Sequence, residues 1–143
     1  MQKQTGFTLL EMLVVLVIIG LLAGLVGPRL MGQAETAKIK TTDTQIKMLK
    51  GSLDTMRLDI GRYPTTEEGL ALLTSTPQDQ VIKSLWKGPY IDGAVPVDPW
   101  NRPYQYSNTK SASGNPFTLY SFGADGQKGG SEENSDIGFT AEN

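Results

Sequence analysis

The chain of 143 residues contains no cysteine and no histidine. The first absence removes disulfide staples and thiolate chemistry. The second removes the commonest general base and transition-metal ligand. There is no basic excess either: 13 Lys and Arg against 15 Asp and Glu leave a formal charge of −2. A nucleic-acid surface needs a basic patch or stripe, so that class of partner is set aside. No Gly-x-Ser-x-Gly elbow, phosphate loop or zinc-binding helix occurs in the sequence. The most telling absence is local: from Met12 to Pro28 no charged side chain appears.

What stands there instead is an apolar run, Phe7 to Gly27, behind the polar leader Met1-Gln2-Lys3-Gln4-Thr5-Gly6. As a helix at about 1.5 Å per residue it is roughly 31 Å long, the thickness of a bilayer core. The run exceeds the 7–15-residue core of an ordinary secretory signal. A plain membrane anchor is therefore the simpler reading, although Ala23-Gly24-Leu25 offers small residues for a peptidase. Lys3 precedes the run and Arg29 follows it, so charge orients it only weakly. A short tail most simply stays in the cytoplasm, and the remainder of the chain crosses as a single-pass protein. Glu11 is the one acid at the edge of this run. A charge inside a membrane costs about 2–4 kcal/mol and usually has a function. No basic residue stands within a turn or two of it, so its counter-charge is expected from elsewhere.

Beyond Pro28, Ile39, Ile46, Leu53 and Ile60 recur every seven residues, with Leu49 and Met56 on the same face. This is one buried stripe of an amphipathic helix, suited to packing on a small sheet. Pro28, with Gly20, Gly24 and Gly27 nearby, predicts an interruption in one long helix from Phe7 to about Asp59. Gly61 and Pro64 supply its stop. Thr65-Thr66-Glu67-Glu68 reads as a capping box before a short helix. Residues 74–92 have mixed polarity, with Trp86 and Tyr90 as packing anchors. The prolines of Val95-Pro96-Val97-Asp98-Pro99-Trp100 exclude a central strand. Residues 104–106 and 117–122 read as strands, and a third is expected around Ile137.

From Asp125 to the end, five acids face Lys128 alone, mixed with glycines and short oxygen donors. That composition suits Ca²⁺, which takes six to eight oxygens in flexible loops. It equally suits a solvated acidic turn, and the spacing is not that of an EF-hand. Asp98 and Asp125 are the only basis for an enzyme reading, a membrane-anchored carboxylate hydrolase.

Residues 3–11, Lys-Gln-Thr-Gly-Phe-Thr-Leu-Leu-Glu, resemble the class III signal of the type IV pilin and pseudopilin superfamily. Further on, Tyr63-Pro64-Thr65-Thr66-Glu67-Glu68-Gly69-Leu70, Val97-Asp98-Pro99-Trp100-Asn101-Arg102-Pro103-Tyr104 and Gly123-Ala124-Asp125-Gly126 resemble the major pseudopilins of type II secretion systems. The resemblance implies a type IV pilin-like α+β fold. It would comprise a cleaved leader (1–6), a transmembrane and filament-core helix (7–27) and its amphipathic continuation (28–61). A loop-rich C-terminal part (62–143) with short antiparallel strands would follow. It implies cleavage by a prepilin peptidase between Gly6 and Phe7, methylation of the Phe7 amine, and pairing of Glu11 with that amine on a neighbouring copy. In the family the helix partly unwinds in the filament, here over Gly24–Pro28.

A structural Ca²⁺ is implied with Phe122 and Glu133 giving carbonyls, Asp125 and Asp136 giving carboxylates, and Ser135 standing where some members have aspartate. Glu132 or Asn134 is then available to replace the missing oxygen. The implied role is the major subunit of a periplasmic pseudopilus that pushes folded exoproteins through an outer-membrane secretin, with no catalysis. Implied partners are further copies of the chain, minor pseudopilins, the prepilin peptidase, and the inner-membrane assembly platform with its ATPase. A type IV pilin or minor pilin of a surface fibre is the alternative, against which the lack of a C-terminal cysteine pair counts.

Overall fold

A computed structural model describes residues 6–142, apart from the side chain of Glu133. The leader expected over 1–6 thus lies outside the described residues except for Gly6. The element order is helix α1 (Leu9–Ile60), a 3₁₀ turn (Gly69–Leu73), helix α2 (Gln80–Leu85), strands β1 (Gln105–Ser107) and β2 (Thr118–Ser121), a second 3₁₀ turn (Glu132–Asn134) and strand β3 (Ile137–Phe139). Two compact units divide the chain, one ending at Thr36 and the other beginning at Ala37, and α1 contributes to each.

In the first unit α1 carries the apolar run. An eighteen-residue stretch of it has a mean hydropathy of 2.9, and none of that stretch is buried. The helix is long and apolar enough to cross a membrane. The interruption expected at Pro28 is absent: α1 runs through it. Proline removes one helical hydrogen bond and restricts the residue before it through contact with that residue's Cβ. Here the preceding residue is Gly27, which has no Cβ, so the second penalty is relieved. The helix also starts at Leu9 and not at Phe7, because Thr8 caps it.

In the second unit the sevenfold stripe is the core. Ile46, Leu49, Leu53, Met56 and Ile60 are buried against Leu70, Leu72, Leu73, Tyr104, Phe117 and Leu119. Burying each such side chain contributes about 1.5–3 kcal/mol. Ile39, at the upper end of the stripe, is only half-buried. Thr42 is fully buried one turn below it, its hydroxyl satisfied by the Lys38 carbonyl at 2.9 Å. The helix ends where expected, with Gly61 at φ +80.

The capping box also forms. The Thr65 hydroxyl accepts the Glu68 amide at 3.2 Å, and the Glu68 carboxylate accepts the Thr65 amide at 2.8 Å. The same carboxylate takes both guanidinium nitrogens of Arg62, at 2.7 and 2.9 Å. These bonds, Arg62's first, hold Glu68 down at about 2 against an ordinary value of 4.5.

The sheet is antiparallel in the order β1-β2-β3, with Tyr106 opposite Leu119 and Leu119 opposite Phe139. Residues 95–103 form no strand in it and contribute only an isolated bridge, Val97 to Pro103. Helix α2, which lay inside the stretch of mixed polarity, is set by Asp79. Its carboxylate accepts the amides of Val81 and Ile82 at 2.8 and 3.1 Å. Trp86 and Tyr90 pack against the core and each other edge-on, and their polar ends reach the Leu72 carbonyl and Asp59.

For the full chain in detergent, three outcomes are expected. Leu53→Ala should lower unfolding stability by about 2–5 kcal/mol by urea titration, through lost burial and a residual cavity. Leu58→Ala, at a position 86% exposed, should change it by less than about 0.5 kcal/mol. Glu68 has an ordinary value of 4.5 unfolded and about 2 folded. Its contribution is therefore complete above that unfolded value and is lost as the pH falls towards the folded one. The melting temperature of Glu68→Gln should lie below the parent's at neutral pH and converge with it in acid. A gap that stays constant on acidification would contradict the assignment.

Candidate functional sites: the helix start and the C-terminal loop

The first site lies at the start of α1. Gly6 has open space on the side where a Cβ would stand, and Phe7 is exposed. The Glu11 carboxylate accepts the Thr8 amide at 2.6 Å and the Thr8 hydroxyl at 2.9 Å. The Glu11 amide donates back to that hydroxyl at 3.2 Å. This is a reciprocal capping box, which satisfies helix-start donors and favours an acid there. Within its own chain the Glu11 carboxylate thus accepts two hydrogen bonds from Thr8. The Thr-x-x-Glu spacing of Thr8 and Glu11 is the signal that reveals it, the same pattern that marks Thr65 and Glu68. Below it, Phe7, Leu10, Met12, Val14 and Val15 surround Glu11 with an open apolar groove.

The second site is the loop from Phe122 to Asp136. Phe122 follows β2, with its ring edge-on to Tyr120 at 5.6 Å. At Gly123, φ is +67 and a Cβ would stand 2.7 Å from the Ser135 carbonyl oxygen. A side chain would therefore force the two limbs of the loop apart, and glycine lets them meet. Asp125 is exposed, and its Oδ1 accepts the Gln127 amide at 2.9 Å. Glu133 lies in the second 3₁₀ turn, whose end is closed by the Ser135 amide donating to the Glu132 carbonyl at 3.2 Å. The Asp136 amide donates to Gly129 O at 3.1 Å, and Asp136 Oδ2 accepts Gly129 N–H at 3.0 Å. Asp136 Oδ1 is buried and has no hydrogen-bond partner.

An unpaired buried carboxylate oxygen is costly, and it asks for a cation or an ordered water. The loop's donors are carboxylates and carbonyls, which fit a hard ion such as Ca²⁺. Among the described residues no three acids group as metal ligands.

Asp98, which a hydrolase reading would pair with Asp125, is otherwise engaged. It is 3% exposed. Its Oδ1 accepts the amides of Trp100 and Arg102 at 3.0 and 2.9 Å, and its Oδ2 accepts the Ser121 hydroxyl at 2.6 Å. These bonds occupy both oxygens, and the side chain is a fastener of the fold. Sequence reasoning missed that role, along with its partner Ser121.

A single helix that is apolar and bare over its first half, amphipathic over its second, and packed there on a small antiparallel sheet defines a pilin-like α+β protein. The family described as type II secretion system protein G matches residues 29–140, and the prokaryotic N-terminal methylation motif matches residues 1–27. The type II secretion system core protein G of Pseudomonas aeruginosa is 42% identical over 139 residues, covering 96% of this chain and 95% of its own. Its Vibrio cholerae counterpart is 42% identical over 138 residues, 96% of this chain and 92% of that one. The crystal structure of the major pseudopilin from the type 2 secretion system of enterohaemorrhagic Escherichia coli superposes with a TM-score of 0.62 at 34% identity, covering 78% of this chain and 93% of that one. The chain belongs to the type II secretion system protein G family.

Proposed function

We propose that this protein is the major structural subunit of a type II secretion pseudopilus, built from the inner membrane into a periplasmic fibre that helps push folded proteins through an outer-membrane secretin. The observation that carries this reading is the bare apolar half of α1 with a carboxylate at its head. Leu9, Leu16, Leu21 and Leu25 are all well over half exposed, and such a surface has to be covered by lipid or by other copies. Lipid covers it before assembly and neighbouring helices cover it afterwards, so the same residues serve as anchor and as fibre core. The protein acts by packing and catalyses nothing.

Cleavage after Gly6 by a prepilin peptidase creates an ammonium group at Phe7, which is then methylated. In the membrane Glu11 is held by Thr8. On assembly it turns to the Phe7 ammonium of an adjacent copy. A carboxylate and an ammonium brought together avoid the penalty that each carries alone in an apolar medium. Minor pseudopilins, the assembly platform and its ATPase supply the start and the drive. In the C-terminal loop a structural Ca²⁺ would be held by the Asp125 and Asp136 carboxylates and the carbonyls of Phe122 and Glu133, with Ser135 contributing an oxygen. The partnerless Asp136 Oδ1 supports this assignment. The ion would tie the limbs of the loop together and supply no chemistry beyond that.

Glu11→Ala should leave membrane insertion intact, as read by fractionation, and abolish both fibres under the electron microscope and secretion of cargo. Normal fibres from that variant would remove the charge-pair role. A ligand present at a hundred times its Kd adds about 2.7 kcal/mol of stability. Asp125→Ala should lose this gain, so that it melts below the parent in calcium and together with it in chelator. Equal melting of the two in both conditions would argue against a metal.

A further inference from the structure

The first limb of the C-terminal loop is fastened from beneath by residues that are not among its metal ligands. The turn Asp98–Arg102 closes on itself, with the Asp98 amide donating to Arg102 O and the Asn101 amide to Asp98 O, both at 2.8 Å. From this turn Asp98 Oδ2 accepts the Ser121 hydroxyl at 2.6 Å, and Ser121 Oγ in turn accepts the Gly123 amide at 3.1 Å. Asp98 is 3% exposed and Ser121 is 0% exposed, so water does not compete for these bonds. Arg102 adds a third tie, Nη2 donating to the Ala124 carbonyl at 3.1 Å. Its guanidinium lies where a Cβ on Gly126 would stand, so it fills the inside of the Ala124–Gly126 bend. The second limb carries its own 3₁₀ turn and two bonds between Gly129 and Asp136.

We propose that the relay from Asp98 through Ser121 to the Gly123 amide, with Arg102 on Ala124, sets the first limb in its ion-binding conformation before calcium arrives. Ser121 and Asp98 are thus positioning residues for the metal. This rests on the calcium reading above. Ordering a loop on binding subtracts from affinity, and a limb ordered in advance spares that part of the cost. Residues that orient metal ligands without touching the metal typically change affinity by about 10–100-fold when removed. The second limb, with Glu133, Ser135 and Asp136, is the part that calcium itself orders.

The test uses the full chain in detergent micelles, titrated with calcium chloride by calorimetry. Ser121→Ala should raise the calcium Kd by roughly tenfold or more and leave a cooperative melt in EDTA. A Ser121→Ala protein that melts lower in EDTA but binds calcium with the parent's Kd would overturn the proposal, because the hydroxyl would then serve stability alone. Hydrogen exchange on the parent gives a second reading that needs no variant. In EDTA the Gly123 amide, bonded to the buried Ser121 hydroxyl, should exchange slowly, and the amides of Gln127–Asn134 should become slower when calcium is added. A Gly123 amide that exchanges as fast in EDTA as the second limb's amides would also overturn it. A parent that takes up no calcium sinks the metal reading and the proposal with it, whereas a parent that binds alongside an unchanged Ser121→Ala sinks the proposal alone.

Discussion

An apolar helical surface with nothing packed on it is the constraint to which everything else in this protein answers. In water such a surface would drive aggregation, since each buried methylene is worth about 0.8 kcal/mol. A bilayer, or the helices of other copies, could cover it. The fold therefore divides its labour along one helix. Up to Thr36 the helix belongs to a unit in which none of the described residues is buried, and from Ala37 it supplies core residues of a second unit.

The acid at the head of that helix needs hydrogen-bond partners of its own. Within a single chain it is used as a helix cap, holding the Thr8 amide and hydroxyl. Such a cap satisfies donors at the start of the helix and favours an acid there.

The globular unit solves a different problem, that of holding long loops with little regular structure. Its strands are three or four residues long, and much of its order comes from carboxylates that accept backbone amides. Glu68 closes the first turn after α1, Asp79 starts α2, Asp98 closes the Pro-Trp turn, and Asp136 ties the last loop. Each satisfies backbone groups that no sheet or helix would otherwise reach. The family relationship agrees with this architecture, since the matched region takes in all of these residues.

Much of this was legible in the residues before any coordinates. The sevenfold stripe, the capping box at Thr65, the stop at Gly61 and the strands around Tyr106, Leu119 and Ile137 all rest on short-range rules of spacing and backbone freedom. Those rules act between neighbours in the chain, so the order of residues by itself determined the long helix, its membrane half and the small sheet. Helix α2 went unread because six residues carry too little periodicity and only Asp79 marks its start. Continuity through Pro28 depended on how Gly27 accommodates the proline ring. Only the tertiary structure could decide the roles of the acids. Whether Asp98 is a reactive group or a fastener, and whether Asp136 is left with an unpaired oxygen, depends on which groups the fold brings against each carboxylate, such as the Ser121 hydroxyl against Asp98. Composition carries no record of that, because burial and hydrogen bonding are properties of the surroundings that a residue acquires only on folding.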